Sequence, residues 1–443
     1  MQTTRSVRVA YRTFGCKLNL YESAGMSQAA REAGFVIESS DGDADVVVVN
    51  TCSVTARADQ EARQYIRSVN RRHPQARVVV TGCYAQRAPE EISELPGVAL
   101  VAGHAEKDIL AQLVTDLPSP GESARVVVGT LAEKRMPALR AVGIQDRTRA
   151  YLRVQDGCNS ACTYCIIPQT RGASTSLTLE ESLAEGQKLL DAGLREIVVT
   201  GTHLGHYGFD LLPRRSLSDL VAGLVALRSD HAYRVRLSSV EPQEIDERLV
   251  EMMATSDVLA PHLHLPLQSG SDTMLRGMRR SYRTAAYRTQ VQKVAGRISP
   301  VALGADLIVG FPGETEEDFR KTLAFLAELP FTYLHPFTYS PRPGTPAAAW
   351  KGRPPGDVAA RRLASAQALI REKNRAFRRS LVGRDAKVLV EETGPDGQSF
   401  GFGEYYVRVY FKGNKNLEGR FALVNLTGLH KDGLGGQLLE AAP

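Results

Sequence analysis

Six cysteines hold the chemistry this chain is equipped for, and they divide into two groups of three. Cys158, Cys162 and Cys165 share one short loop, Cys158-Asn159-Ser160-Ala161-Cys162-Thr163-Tyr164-Cys165, with the spacing C-x3-C-x2-C. A closed structural zinc site takes four ligands, usually as C-x2-C pairs. Three thiols with no fourth nearby fit instead an iron–sulfur cube that keeps one iron open to a small molecule. Cys16, Cys52 and Cys83 lie far apart within the first hundred residues. In a reducing compartment such cysteines are metal ligands or catalysts more often than disulfides. The plainer reading of the N-terminal three is scattered buried thiols that pack as small hydrophobes.

The elements expected around them favour a site. Val7–Phe14 reads as a strand and Tyr21–Ala33 as a helix. The β-branched run Ala44–Val49 reads as a parallel strand buried on both faces, ending at Asn50-Thr51-Cys52. After a polar helix over Asp59–Arg72, the strand Ala76–Val80 ends at Thr81-Gly82-Cys83, and Val98–Val101 is a further strand. Each of the three cysteines is thus expected just past the C-terminal end of a parallel strand, the edge at which open α/β sheets bind ligands. Three unrelated thiols have no reason to share that position, so convergence on one site is the stronger reading. Residues 135–148, with Pro137 and no clear period, read as a linker.

A second alternating series follows. Strands are expected at Ala150–Val154, Glu196–Thr200, Tyr233–Ser239, His262–Leu267, Ala302–Val309 and Leu334–Tyr339. Helices are expected between them, at Leu179–Ala192, Leu217–Arg228, Ile245–Met253, Arg283–Gly296 and Glu316–Glu328. Six β/α repeats predict a partial parallel barrel, whose C-terminal rim is where sites form. Gly201, Ser239 and Gln268 fall on that rim, although each taken singly fits an ordinary βα turn. His262 and His264 alternate on one strand and are expected to line the barrel as hydrogen-bonded residues rather than to hold a metal. An Arg-rich helix spans Asp357–Leu381, and Lys387–Glu391, Tyr405–Phe411 and Phe421–Leu426 read as strands of a small antiparallel β-barrel. Half of its aromatics (Phe400, Phe402, Tyr405, Tyr406, Tyr410, Phe411) are expected in its core and the rest free to stack on RNA bases. The fold class is α/β: an N-terminal open parallel domain over 5–134, a barrel over 144–375 and the small β-barrel over 380–442.

The bulk numbers exclude little. A chain of 443 residues with 43% hydrophobic and 23% charged residues has room for two or three globular domains. The net charge of +6 leans towards an anionic partner such as nucleic acid. No apolar run is long enough to span a membrane, and the start leads straight into a strand-like segment, so a cytoplasmic protein without a signal peptide is expected.

Cys158 to Cys165 resembles the radical-SAM signature, and the whole chain resembles the methylthiotransferase family. Gly15-Cys16, Asn50-Thr51-Cys52 and Thr81-Gly82-Cys83 stand where that family's second-cluster cysteines would be. Gly15-Cys16-Lys17-Leu18-Asn19, Arg236-Leu237-Ser238-Ser239-Val240-Glu241-Pro242 and Ser340-Pro341-Arg342-Pro343-Gly344-Thr345 look like the branch called MtaB. The resemblance implies two 4Fe-4S clusters, one on Cys16, Cys52 and Cys83 and one on Cys158, Cys162 and Cys165, with S-adenosylmethionine used both as methyl donor and as source of a deoxyadenosyl radical. It implies methylthiolation of C2 of N6-threonylcarbamoyladenosine in the tRNA anticodon stem-loop, a carbon whose C–H lacks the acidity that general-base chemistry needs. A TRAM domain is implied at the C-terminus, and a reductase or flavodoxin-type electron donor and a sulfur source as partners. Tyr164, between the last two cysteines, is sited to face the adenine; Gly201 would let backbone approach the methionine end; Ser239 and Gln268 are placed near the cofactor. The sibling branches modify isopentenyladenosine in tRNA (MiaB) or an aspartate of a ribosomal protein (RimO). A non-catalytic RNA-binding or cluster-scaffold protein would have no need of an open-iron triad beside glycine-rich rim turns.

Overall fold

The structure, a computed structural model, describes residues 6–131, 136 and 148–441. The linker expected over 135–148 lies outside the described residues except at 136 and 148. The valine run does what its composition dictates: β1 (Arg8–Thr13), β2 (Val36–Glu38), β3 (Val46–Thr51), β4 (Arg77–Gly82), β5 (Val98–Ala102) and β6 (Arg125–Val127) form one parallel sheet in the order β2-β1-β3-β4-β5-β6. Val46 and Val48 pack on one face with Met26 and Leu100, while Val47 and Val49 pack on the other with Ala62, Ile66 and Val69. Each of these four valines is fully buried, contributing ~1.5–3 kcal/mol of transfer free energy. The covering helices are α1 (Lys17–Glu32), α2 (Ala56–Arg72), α3 (Cys83–Arg87), α4 (Pro89–Ser93) and α5 (Leu110–Val114). Helix α1 starts four positions before the expected Tyr21, because its buried face carries Asn19, Glu22 and Ser23 beside Leu18 and Met26 and so lacks a clean apolar period.

By their contacts the described parts fall into two compact units, Met1–Ile144, Gln155–Leu177 and Ser340–Ala348 in the first, Gln145–Val154, Thr178–Tyr339 and Ala349–Pro443 in the second. Strand β7 (Arg149–Arg153) belongs to the second unit. In the first, β8 (Gln155–Asp156) pairs antiparallel with β9 (Thr175–Ser176), closing a loop that holds three cysteines and α6 (Ile167–Arg171). Segment 340–348 is tied into the same unit: Arg342 donates to Ser53 Oγ at 3.0 Å and pairs with buried Asp59, and Ala347 N–H donates to Thr163 O at 2.9 Å.

In the second unit β7, β10 (Glu196–Thr200) and β11 (Arg234–Leu237) form one parallel sheet, and β12 (His262–His264), β13 (Ala302–Val309) and β14 (Tyr333–Thr338) another. Bridges Val235↔Leu259 and Ser239↔His264 join them into the six-stranded partial barrel that six β/α repeats predict. Strand β12 is shorter than expected; Pro261 and Pro266 flank it, and proline has no N–H to give a ladder. The surrounding helices are α7 (Leu179–Asp191), α8 (Leu217–Val225), α9 (Glu247–Thr255), α10 (Asp272–Gly277), α11 (Thr284–Arg297), α12 (Glu316–Glu328) and α13 (Gly356–Ser380). The C-terminal barrel closes in the order β15-β16-β17-β19-β18, from β15 (Asp385–Thr393), β16 (Gln398–Phe402), β17 (Arg408–Lys412), β18 (Phe421–His430) and β19 (Gly433–Ala441). The β17–β19 pairing is parallel, the others antiparallel, which amends the all-antiparallel expectation. Strands β16 and β19 escape a sequence reading because they carry the glycines that otherwise mark turns. A Cβ on Gly401 would sit 1.9 Å from Leu389 O, and one on Gly436 2.3 Å from Val424 Cγ1, so close strand crossings demand glycine there.

Candidate functional site

Strands β1, β3 and β4 are neighbours, so their C-terminal ends lie side by side about 4.8 Å apart. Cys16 follows β1 and is the N-cap of α1; Cys52 directly follows β3; Cys83 directly follows β4 and opens α3. The three thiols, all unpaired as disulfides, therefore stand at adjacent strand ends. The backbone is shaped around them. Gly15 (φ +114) has room for no side chain, since a Cβ there would lie 2.7 Å from Cys52 Cβ. Gly82 (φ +98) packs on Thr51, where a Cβ would meet the backbone at 2.3 Å. Asn19 ties the first two ends together: its Oδ1 accepts from Cys16 Sγ at 3.3 Å, and its Nδ2 donates to Thr51 O at 2.9 Å, next to Cys52, while Thr51 Oγ1 donates to Thr81 O at 2.6 Å and so links the third. Asn50 returns the contact, donating to Asn19 O at 2.9 Å. Burial pushes the Cys52 thiol up to about 12, with Cys83 beside it adding to the rise and Arg171 opposing it.

Behind the thiols lies a fully buried ionic cluster. Arg171 donates to Glu22 Oε1 at 2.8 Å, to Asp156 Oδ1 at 2.9 Å and to Asn19 Oδ1 at 3.2 Å; Lys107 Nζ donates to Glu22 Oε2 at 2.5 Å. Two positive and two negative groups balance, which such burial requires, since each isolated ion would cost several kcal/mol. Burial pulls the Lys107 ammonium down and the Glu22 carboxylate opposes it.

The second triad hangs on the same turn. Gly172, next to Arg171, accepts from Cys158 N–H at 3.0 Å through its carbonyl. Gln155 Nε2 donates to Gly157 O at 2.7 Å and to Ser174 Oγ at 2.8 Å, and Asn159 Oδ1 accepts from Ser174 N–H at 2.9 Å, fixing both roots of the loop. Gly157 (φ +76) passes so close that a Cβ would lie 1.9 Å from Ala173 O. Cys158, Cys162 and Cys165 are half-buried, as is Tyr164 between them. Three thiols on a loop whose crowded turns exclude side chains, and three more at adjacent strand ends, fit two clusters that each take three cysteine ligands.

In the second unit Gly201 directly follows β10, half-buried, and Ser239 lies two residues past β11, exposed. Gln268 is buried at φ +66, held there by hydrogen bonds from its N–H to Asp306 O at 2.8 Å and from Ile308 N–H to its own carbonyl at 2.9 Å. A non-glycine residue in that region costs of order 1–2 kcal/mol, so the rim is over-determined there. Ser271 occupies an N-cap position on α10 without a capping bond; its Oγ donates to Asp318 at 2.6 Å instead. His262 and His264 behave as expected, both bonding Tyr333 Oη, at 2.8 and 3.2 Å.

Two family models match the chain: Uncharacterized protein family UPF0004 over residues 8–103 and Radical SAM superfamily over residues 152–326. Threonylcarbamoyladenosine tRNA methylthiotransferase MtaB of Bacillus subtilis is 36% identical over 94% of this chain and 93% of its own length. The protein of that name from Thermotoga maritima is also 36% identical, over 97% and 96%. The chain belongs to the radical-SAM methylthiotransferases. A relative from Erythrobacter litoralis named tRNA-2-methylthio-N(6)-dimethylallyladenosine synthase is 33% identical over 97% of this chain and 96% of its own length. Among solved structures, the radical S-adenosylmethionine methyltransferase TsrM from Kitasatospora setae superposes with a TM-score of 0.55, at 16% identity, over 77% of this chain and 75% of its own; this likeness concerns the fold alone.

The methylthiotransferase places all six cysteines in its first unit and Gly201, Ser239 and Gln268 in its second. Asn19, Glu22, Lys107 and Arg171 escape a reading of the sequence, because buried charged residues break the usual partition and their spacing follows no period. Asn19 alone had a local signal, standing within the Gly15-Cys16-Lys17-Leu18-Asn19 motif. Of the six aromatics from which RNA-stacking residues are expected, Phe402 and Tyr406 are already engaged by protein: Arg149 lies over both rings, and Arg236 lies over Tyr406. In α13, Arg362 is buried on Glu314 at 2.7 Å, whereas Arg361, Arg371, Arg375 and Arg379 are exposed.

Proposed function

We propose that the enzyme adds a methylthio group to C2 of N6-threonylcarbamoyladenosine in the anticodon stem-loop of tRNA. The observation that carries this is the pair of cysteine triads held in one compact unit, in a chain whose identity to threonylcarbamoyladenosine relatives is 36% across nearly its whole length. Cys16, Cys52 and Cys83 would hold one 4Fe-4S cluster and Cys158, Cys162 and Cys165 the other. When bound, these clusters and S-adenosylmethionine supply the sulfur, the methyl group and the radical that a non-acidic aromatic C–H requires. The chain's own part is positional. Gly15, Gly82 and Gly157 let backbone close around the thiols, Asn19 ties the Cys16 turn to the end of β3, and Arg171 places positive charge behind the N-terminal triad. Tyr164, Gly201, Ser239 and Gln268 are the proposed cofactor contacts. The small closed barrel and the exposed arginines of α13 are proposed to meet the tRNA backbone, in the manner of a TRAM domain. A reductase or flavodoxin-type donor and a sulfur source would complete the cycle in the cytoplasm. No helix among the described residues is long and apolar enough to cross a membrane.

A second reading, methylthiolation of isopentenyladenosine, draws on relatives at 33–34% identity. Nucleoside mass spectrometry of tRNA from a strain lacking the gene decides between them. Loss of methylthio-threonylcarbamoyladenosine is expected. Its persistence together with loss of methylthio-isopentenyladenosine would establish the second reading instead.

A further inference from the structure

Past Gly201 the chain builds a feature that cluster chemistry does not require. His203, His206 and Phe209 stack one upon the next, with ring centroids 3.7 Å apart at 15° and then 5.2 Å apart at 25°. Exposure rises along the stack, from 9% and 22% for the two histidine side chains to 55% for Phe209. The ladder therefore ends in an aromatic ring open to water. Its inner end is anchored: Glu244 Oε1 lies 2.6 Å from His203 Nε2 and 3.4 Å from His206 Nε2. Gly205 permits this approach, since a Cβ there would fall 1.7 Å from Glu244 Oε2. The outer loop is closed by Gly208 (φ +78), whose carbonyl accepts from Leu211 and Arg215 N–H at 3.2 Å each. The same loop continues through Leu212, 96% exposed, and the exposed Arg214.

The two imidazoles and the carboxylate bring three ligand-type atoms within 4.8 Å of one another. A metal centre needs the in-plane nitrogen lone pairs to converge on one point, and near-parallel rings stacked face to face aim theirs along separate planes. Stacking is what the arrangement is shaped for. An exposed aromatic face on a loop that also carries an exposed arginine is the composition that binds unpaired nucleotides, where each base–aromatic stack contributes roughly 1–3 kcal/mol. The loop follows β10, and so issues from the C-terminal end of a barrel strand, the end at which such barrels carry their sites.

We propose that the His203–His206–Phe209 stack is a platform for an unpaired base of the anticodon loop, with the open face of Phe209 receiving the base beside the adenosine to be modified. This rests on the tRNA substrate proposed above. Extruding one base for chemistry strips its neighbour of a stacking partner. Phe209 replaces that partner, and the exposed Arg214 of the same loop offers a charge for phosphate.

The test uses full-length reconstituted enzyme and an anticodon stem-loop carrying N6-threonylcarbamoyladenosine, with 2-aminopurine on either side of it. Wild-type enzyme is expected to bind the stem-loop and quench the fluorophore in one of the two positions. Phe209→Ala is expected to weaken binding roughly tenfold, the scale of one lost base–aromatic stack, and to abolish the quenching, and Phe209→Trp to restore both. Phe209 is largely exposed, so an unchanged thermal midpoint serves as the folding control. Undiminished binding and quenching by Phe209→Ala overturns the platform alone. Failure of wild-type enzyme to bind the stem-loop overturns the tRNA reading and the platform with it.

Discussion

Arg171 shows how much one side chain can carry. It meets Glu22, Asp156 and Asn19 at once, is fully buried, and stands one residue from the carbonyl that holds Cys158 N–H. Deleting it takes the guanidinium from Asp156 and leaves Glu22 to Lys107, and removing one partner of a buried ionic group costs ~3–5 kcal/mol. Arg171→Met is therefore expected to lower the urea-unfolding free energy by about that amount. Arg171→Lys should recover little of it, because an ammonium cannot reproduce the planar fork that reaches three acceptors. Full stability in either variant would show that the cluster does not depend on this residue. Burial statistics place arginine, glutamate and lysine at the surface, so this cluster was invisible until the fold brought residues 19, 22, 107, 156 and 171 together.

At the scale of elements, the strand ends decide where the thiols go. Gly15 lies between β1 and α1 in a conformation that favours glycine, against Cys52. Gly15→Ala adds a Cβ where none fits and should displace Cys16 from Cys52. The expected outcome is loss of the iron bound by the N-terminal triad, about half of the total, with the C-x3-C-x2-C loop still loaded, as read by iron quantitation and electron paramagnetic resonance. The start of the barrel carries a different dependence. Glu196 on β10 is fully buried between Arg234 and Arg236 of β11, at 2.6 and 3.0 Å. Burial pushes its carboxyl up, but the two guanidinium groups outweigh this and hold it well below the usual carboxylate range. A depressed folded value means stability that is present above the unfolded value near ~4.3 and is lost as pH falls below it. Glu196→Gln should flatten the acid limb of a stability–pH curve measured below about pH 4.5; an unchanged limb would assign acid sensitivity to other groups.

At the scale of the molecule, compact units and sequence matches divide the chain differently. The Radical SAM superfamily match runs through residues 152–326, yet contacts group Gln155–Leu177, with its three cysteines, with the N-terminal sheet. Both triads thus share one unit, and anaerobically reconstituted enzyme should hold about eight irons per chain, two 4Fe-4S clusters. A value near four would refute the two-cluster assignment. In the second unit the C-terminal barrel is docked on the starts of barrel strands: Arg234 donates to Lys387 O at 2.9 Å and Phe402 O at 3.0 Å, and Arg236 to Glu404 O at 2.9 Å. That docking explains why Phe402 and Tyr406 are not free for RNA, and it leaves the exposed arginines of α13 as the part of the Arg-rich stretch open to a polyanion.

The sequence alone determined the covalent logic: two cysteine triads, one in a tight loop and one after three strands, on alternating β/α patterns that end in a small β-barrel. These were legible because local spacing and periodicity encode them; Cys52 and Cys83 directly follow strands built on runs of valine whose burial on both faces leaves no alternative register. Tertiary structure alone decided which residues stand behind and beside the thiols. Asn19, Glu22, Lys107 and Arg171 meet across up to 152 positions of chain, and glycines 401 and 436 lie in strands because another backbone passes within van der Waals contact. Such pairings depend on distances through space that no local pattern records, and the charged members contradict the burial preferences by which a sequence is read.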